Sequence, residues 1–165
     1  MSGGPPIQPA IQPADVFQSE LLAALQHECF PEDRWTADFI ATLLGQPGTF
    51  ALLALVPDPA TGMERPVGFA LARVSWEDAE ILTIGVLPAA RRGGTGRRLV
   101  EAVAAEVQRR GATALFLEVA EDNDAARLLY MHSGFAPVGR RQGYYIRPNG
   151  RFAAVVMRRS FPSEP

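Results

Sequence analysis

No lysine occurs in the 165 residues; all sixteen basic side chains are arginine. A mechanism built on a lysine nucleophile or a Schiff base is thereby excluded. Cysteine is scarce too. Cys29 stands alone, so the chain has no internal disulfide and no cysteine framework for a metal. His27 and His132 are the only histidines and are not at ligand spacing, so no metal site is expected. Without an evident base partner, Cys29 reads as a small packing residue rather than a nucleophile, and His132 as a surface residue. No apolar run approaches the roughly 18 residues of a membrane-spanning helix. The start, "MSGGPPIQPAIQPAD", lacks the basic and apolar regions of a secretory signal. A cytoplasmic protein without membrane attachment is expected. Eighteen acidic residues offset the arginines to a net charge of −2, which argues against a nucleic-acid partner.

What is present suits one soluble domain. The length and the 47% of hydrophobic residues allow a proper core. Residues 1–13 read as a loose lead-in with a short edge strand, and residues 14–161 as a single domain. "ADVFQSELLAALQHECF" spaces Phe17, Leu21, Leu22 and Leu25 at helical intervals. A second helix follows, with Thr36 as its N-cap and Gly45 near its end. The period then changes to that of strands in 49–57, 66–76 and 79–88, with "DPATGMER" and "EDA" as turns of an antiparallel meander. From Gly94 to Arg110 the pattern is helical, with Leu99, Val100, Val103 and Val107 on one face. "GATALFLEV" is a strand apolar on both faces. "NDAARLLYMHSG" is a helix capped by Asn123 and closed by Gly134, and "FAPVGRR" and "FAAVVMRR" are strands around a polar loop, "QGYYIRPNG". The order predicts a mixed α/β domain with a mostly antiparallel sheet of about six or seven strands and about four helices.

Two places carry chemistry. In "RRGGTGRRL", three glycines and four arginines crowd the point where a strand hands over to a helix. The first N–H groups of a helix have no intrahelical acceptor and sit at its positive end. Glycines let them converge on an anion, and arginines add bidentate contacts to phosphate. The turn is no lysine-containing P-loop, and its spacing fails the dinucleotide fingerprint. A pyrophosphate cradle and a merely soluble turn both remain open from these residues. The second place is "TALFLEV". Glu118 ends one face of an apolar strand as a lone carboxylate, suited to a general base if unpaired, or else paired with an arginine. On the next helix Ala126 and Tyr130 share a face. Tyr130 is a candidate acid or a core tyrosine.

In order, "ILTIGVLPAARRGGTGRRLVEAV" and "EVAEDNDAARLLYMHSGFAPVGRR" resemble the two halves of the GNAT superfamily of N-acetyltransferases, with R-x-x-G-x-G at Arg91, Gly94 and Gly96 and N-x-x-A-x-x-x-Y at Asn123, Ala126 and Tyr130. "ECFPEDRWTADFIATLL" and "GRRQGYYIRPNG" resemble the RimI-type members, which modify the N-terminal alanine of a ribosomal small-subunit protein. The resemblance implies acetyl-CoA as cofactor, Glu118 as base and Tyr130 as acid. It also implies a backbone at Ile84, Gly85 and Val86 that holds the acetyl and pantetheine arm. Asn123 and Ala126 would meet that arm, and Arg91, Arg92, Gly93, Gly94, Thr95, Gly96 and Arg97 would hold the pyrophosphate. Gly85 would let ligand approach the backbone closely. Trp35, Tyr144 and Tyr145 are candidates to wall an acceptor groove rimmed by Arg140, Arg141 and Arg147. The chain departs from the pattern in an insertion, Glu32 to Arg34, and in Ala153, where an acidic residue is common. Both leave the acceptor open: a protein N-terminus, or a small-molecule amine. A non-catalytic acetyl-CoA-binding module is the remote alternative. The protein is expected as a monomer or homodimer.

Overall fold

The structure is a computed structural model and describes residues 7–162. The first six residues of the expected lead-in lie outside the described residues. Among the described residues seven strands and four α-helices follow in the order β1 (Ala10–Ala14), α1 (Ser19–Cys29), α2 (Ala37–Leu44), β2 (Thr49–Pro57), β3 (Glu64–Ser75), β4 (Asp78–Val86), α3 (Thr95–Arg109), β5 (Ala114–Ala120), α4 (Asp124–His132), β6 (Ala136–Arg147) and β7 (Gly150–Ser160). The strands hydrogen-bond in the order β1-β2-β3-β4-β5-β7-β6. The mixed α/β class, the strand number and the helix number are those the sequence predicts.

The chain forms two compact units. The first holds residues up to Arg73 and Leu82–Val103. In it β1 pairs antiparallel with β2, and β2 with β3. Pro13 is tolerated in β1 because an edge strand need not donate on both sides. Asp15 starts the next segment: its carboxylate accepts the Phe17 N–H at 3.0 Å, and Gln18 returns the bond to Asp15 N–H at 3.1 Å. That cap turns Phe17 outward, so it is 92% exposed rather than on the apolar face with Leu22 and Leu25. Leu22, Leu25, Ile40, Leu53, Phe69 and Leu71 form the core. Thr36 caps α2 through the Phe39 N–H, as expected.

The second unit holds Val74–Ile81 and the chain from Ala104 onward. Its first strand segment follows a two-residue turn at Trp76 and Glu77, with Trp76 at φ 60°. The turn thus falls one residue before the expected "EDA". β4 pairs parallel with β5 at Asp78–Glu80, a pairing that needs a long crossover, here α3. β5 pairs antiparallel with β7, and β7 with β6. The expected polar loop is instead strand: β6 runs through Tyr144 and Tyr145 to Arg147, and the turn shrinks to Pro148–Asn149. Pairing of Tyr145 to Arg147 with β7 extends this end of the segment despite its polar composition. Along α3, Leu99, Val100, Val103 and Val107 are fully buried, as the period requires.

Candidate active site

In the first unit the glycine-rich turn runs straight into α3. Arg92 has φ 68° and Gly94 φ 84°, flanking Gly93 on the ordinary side. Such alternation makes a nest, in which consecutive N–H groups turn toward one point. A left-handed arginine costs about 1–2 kcal/mol, and strain of this kind collects at ligand sites. Where a Cβ of Gly94 would stand there is open space. The ladder of α3 starts with Arg98 N–H donating to Gly94 O at 3.1 Å, which leaves earlier donors outside it. An anionic group such as a pyrophosphate fits this cradle.

The arginines divide by partner. Arg91 donates through Nε to Val86 O at 3.0 Å, tying the turn to the end of β4. Arg98 donates to Pro9 O at 3.1 Å and to Gln8 Oε1 at 2.6 Å, holding the segment before β1. Arg92 and Arg97 are exposed. Thr95, the first residue of α3, is buried. The reason lies in a residue the sequence reading missed: a Cβ on Gly68 would stand 3.0 Å from Leu99 Cδ1 and 3.5 Å from Thr95 Cγ2. Gly68 lets α3 sit close against β3, which places the turn.

Gly85 needs its missing side chain for packing. A Cβ there would lie 2.8 Å from Phe69 Cε1 and 2.9 Å from Cys29 Sγ. The space where its side chain would stand is filled by Phe69 and Cys29. Burial pushes the Cys29 thiol up, only partly opposed by the Arg91 guanidinium, so it stays protonated at neutral pH and is a poor nucleophile.

Trp35 packs its ring edge-on to Phe39, centroids 5.0 Å apart, against the core of the same unit. Its backbone is held by the fully buried Gln26, whose Oε1 accepts the Trp35 N–H at 2.8 Å and whose Nε2 donates to Asp33 O. His27 Nε2 meets Trp35 O at 2.8 Å. The inserted residues Glu32–Arg34 are therefore anchored from α1. Buried glutamine in a helix was the available signal, since a buried amide must find partners.

The second unit carries the acid–base candidates. Of the two readings open for Glu118, the structure shows the carboxylate paired with an arginine. Its Oε1 lies 3.1 Å from Arg141 Nε, which β6 brings beside β5 through their shared neighbour β7. Tyr130, on the last turn of α4, is 8% exposed, with its ring edge-on to Phe135 at 5.9 Å between centroids. Burial first, and then Tyr145, push its phenol up to about 12. Asn123 caps α4: its Oδ1 accepts the Ala126 N–H at 3.2 Å, which aligns the helix that carries Tyr130. Tyr144 and Tyr145 meet edge-on, centroids 5.1 Å apart, on β6. Arg140 pairs with Glu121 and Arg147 with Asp122. Among the described residues no cluster of three metal-ligating side chains occurs.

The raised phenol makes a pH prediction. The folded protein keeps the Tyr130 proton while the unfolded chain loses it near pH 10, so stability should fall between about pH 10 and 12. The stability at stake is on the order of 3 kcal/mol. With no lysine to titrate in that range, Tyr130→Phe should visibly flatten the loss in thermal melts across those pH values. An equal slope in both proteins would place the phenol in water.

A family model described as the acetyltransferase (GNAT) family matches residues 15–135. The chain belongs to the GNAT family. It is 38% identical over 89 residues to the [ribosomal protein bS18]-alanine N-acetyltransferase of Escherichia coli (strain K12), covering 54% of this chain and 60% of that protein. It is 42% identical over 98 residues to the N-alpha-acetyltransferase RimI of Mycobacterium tuberculosis, covering 57% and 60%. The matches thus span about three fifths of the length of these curated relatives. Its fold is similar to the crystal structure of the ribosomal-protein-S18-alanine N-acetyltransferase from Escherichia coli, with a TM-score of 0.82, 24% identity and coverage of 95% and 96%. It is also similar to that of Arabidopsis thaliana NAA60 in complex with acetyl-CoA, with a TM-score of 0.77, 19% identity and coverage of 92% and 98%. The GNAT match takes in the glycine-rich turn, Glu118, Asn123 and Tyr130; Arg141, Tyr144 and Tyr145 lie beyond it. Among the described residues no helix is long and apolar enough to cross a membrane.

Proposed function

We propose that the protein transfers an acetyl group from acetyl-CoA to the N-terminal α-amine of a protein, an alanine-ended ribosomal small-subunit protein being the first candidate. The observation that carries the cofactor reading is the Arg92–Gly94 nest at the start of α3, with its open space and exposed arginines. The activities for which the two curated relatives are named support the acceptor.

Acetyl-CoA supplies an activated thioester. The protein's part is to bind it, to take a proton from the amine and to ease departure of the thiolate. The nest and Arg92 and Arg97 hold the pyrophosphate. Each charged hydrogen bond of this kind contributes about 1.5–3 kcal/mol. Arg92→Ala and Arg97→Ala should each weaken acetyl-CoA binding at least about tenfold in titration calorimetry, with melting temperature unchanged. Unchanged affinity in both would assign the arginines to solubility. The backbone of Ile84 to Val86 takes the acetyl end of the arm.

Glu118 serves as general base. An α-amine with pKa about 7.7–8.0 is neutral in roughly a tenth of molecules at pH 7, whereas a lysine amine at about 10.4 is neutral in about 0.04%. One carboxylate suffices for the former. Tyr130 faces a harder transfer. A phenol near 12 giving its proton fully to a thiolate of pKa about 8.5 is uphill by roughly 5 kcal/mol. Its main contribution is therefore a hydrogen bond donated to the sulfur as charge develops, from a group that keeps its proton at every working pH.

The deciding test is incubation with acetyl-CoA and a peptide copying an alanine-started ribosomal N-terminus, read by mass spectrometry. Gain of one acetyl group, abolished when the peptide's amine is blocked, is the expected result. Binding of acetyl-CoA without any peptide modification would overturn the acceptor and leave a small amine.

A further inference from the structure

Each of three acidic side chains at the end of β5 and just after it is paired with an arginine of β6, but the three pairs differ. Arg140 pairs with Glu121, whose other oxygen accepts the Ala153 N–H at 3.1 Å. Arg147 pairs with Asp122 and also lies over the Tyr145 and Phe152 rings, at 5.7 and 5.3 Å. In the first pair the carboxylate is held by a second, backbone partner, and in the second the guanidinium is the least exposed of the three. Arg141 is the most exposed of the three, its side chain 60% accessible, and the carboxylate it meets is Glu118.

We propose that Arg141 is an internal competitor for the acceptor: its guanidinium occupies the Glu118 carboxylate in the resting protein, and the incoming α-ammonium displaces it. The proposal rests on the reading of Glu118 as the general base.

Arg141 has somewhere else to go. Its Cζ already lies 5.5 Å from the centroid of the Tyr144 ring, so the cation keeps an aromatic face when it leaves the carboxylate. Its backbone is also free of a regular ladder on one side. Arg141 pairs with Ala154, but the next registered pair is Tyr145 with Phe152, so β6 carries extra residues there. Gly143, inside that bulge, has φ 58°. Bulges of this kind re-aim side chains beside active sites.

Charge gives the exchange a direction. The acceptor amine is mostly ammonium at neutral pH, so it replaces one cation on Glu118 by another at little net cost. The acetylated product is an uncharged amide and cannot hold the carboxylate. Arg141 then returns, which favours release. Because the pair is exposed it is weak, and the competition is worth only about two- to fivefold.

The test is initial-rate kinetics with a short alanine-ended peptide at saturating acetyl-CoA, for wild type, Arg141→Gln, Arg141→Ala and Arg141→Lys. In the Gln and Ala variants KM for the peptide should fall about two- to fivefold with kcat within about twofold. Inhibition by the acetylated peptide should strengthen by a similar factor. Arg141→Lys, which keeps the charge, should restore the wild-type KM. A KM that stays the same or rises overturns the proposal, and so does a fall in kcat alone, which would make Arg141 a positioning residue for Glu118. Circular dichroism melts identify any variant that does not fold; the Gln variant, close to isosteric with the arginine stem, is then the one read. Failure of the wild type to acetylate any peptide would overturn the peptide acceptor and this proposal with it, whereas transfer with unchanged KM in the variants sinks this one alone.

Discussion

Glu118→Gln should lower the turnover of peptide acetylation by about 10²–10⁴-fold, the range for removing a positioned general base. Affinity for acetyl-CoA should stay within about twofold, because the nest and its arginines are untouched. The substitution keeps size and shape and removes only the ability to take a proton. Glutamine can still accept a hydrogen bond from Arg141 through its amide oxygen, so the β5–β6 contact survives in weaker form. Melting temperature should therefore hardly move, since an exposed pair contributes about 0–1 kcal/mol. The measurements are steady-state rates with the alanine-ended peptide, and calorimetric titration with acetyl-CoA. Loss of turnover and cofactor affinity in equal measure would show that Glu118 organises the site rather than moving a proton. A loss below about tenfold would assign the proton to water.

Gly85→Ala is expected to destabilise the protein by about 1–3 kcal/mol, the usual cost of forcing a methyl group into a filled core. The added Cβ would meet Phe69 Cε1 at 2.8 Å and Cys29 Sγ at 2.9 Å, inside any normal carbon contact. The two neighbours differ in what they can yield. Phe69 is fully buried, while Cys29 is only partly buried at the end of α1. Cys29→Ala removes the sulfur contact but leaves its Cβ at 3.0 Å. The double variant Cys29→Ala/Gly85→Ala should thus recover part of the loss, and a double-mutant cycle of thermal or urea unfolding measures that coupling. An expected shift of about 2–4 °C in Tm per kcal/mol makes the effect easy to see. If Gly85 served only ligand access, Tm would be unchanged and KM for acetyl-CoA would rise. That outcome would reinstate the reading drawn from its position in the strand.

Gly85 also shows how far the sequence could be read. That a glycine interrupts an apolar strand is visible in "ILTIGVLP", but what fills the space beside it is not. Phe69 and Cys29 reach it from β3 and α1, 16 and 56 residues away by number. The "QGYYIRPNG" segment misled for a related reason. Its glycines, asparagine and proline are turn formers, yet Tyr145 to Arg147 pair with β7 and the turn is confined to Pro148 and Asn149. Trp76 is the converse: no turn preference marks it, and the two-residue link between β3 and β4 places it at φ 60°.

The features read correctly are those decided within a few residues. Thr36 and Asn123 cap their helices because a short oxygen side chain can reach an N–H three residues on. Gly134, at φ 90°, ends the α4 segment because only glycine takes that conformation without strain. The buried face of α3 follows from the 3.6-residue period alone. The left-handed conformation of Gly94, where only glycine avoids strain, is of the same local kind.

The sequence by itself thus determined most of the elements, their caps and the chemical types available: a glycine-rich turn with arginines, one carboxylate at a strand end, one tyrosine on the next helix. Only the tertiary structure decided the partners. It gave Arg91 to Val86, Arg98 to Gln8 and Pro9, and Arg141 to Glu118, leaving Arg92 and Arg97 on the surface. Sixteen arginines carry the same charge and the same fork of donors, so nothing in their local sequence ranks one above another as a partner. Which guanidinium meets which oxygen depends on strand register and helix docking, set by apolar burial spread over the whole of each unit.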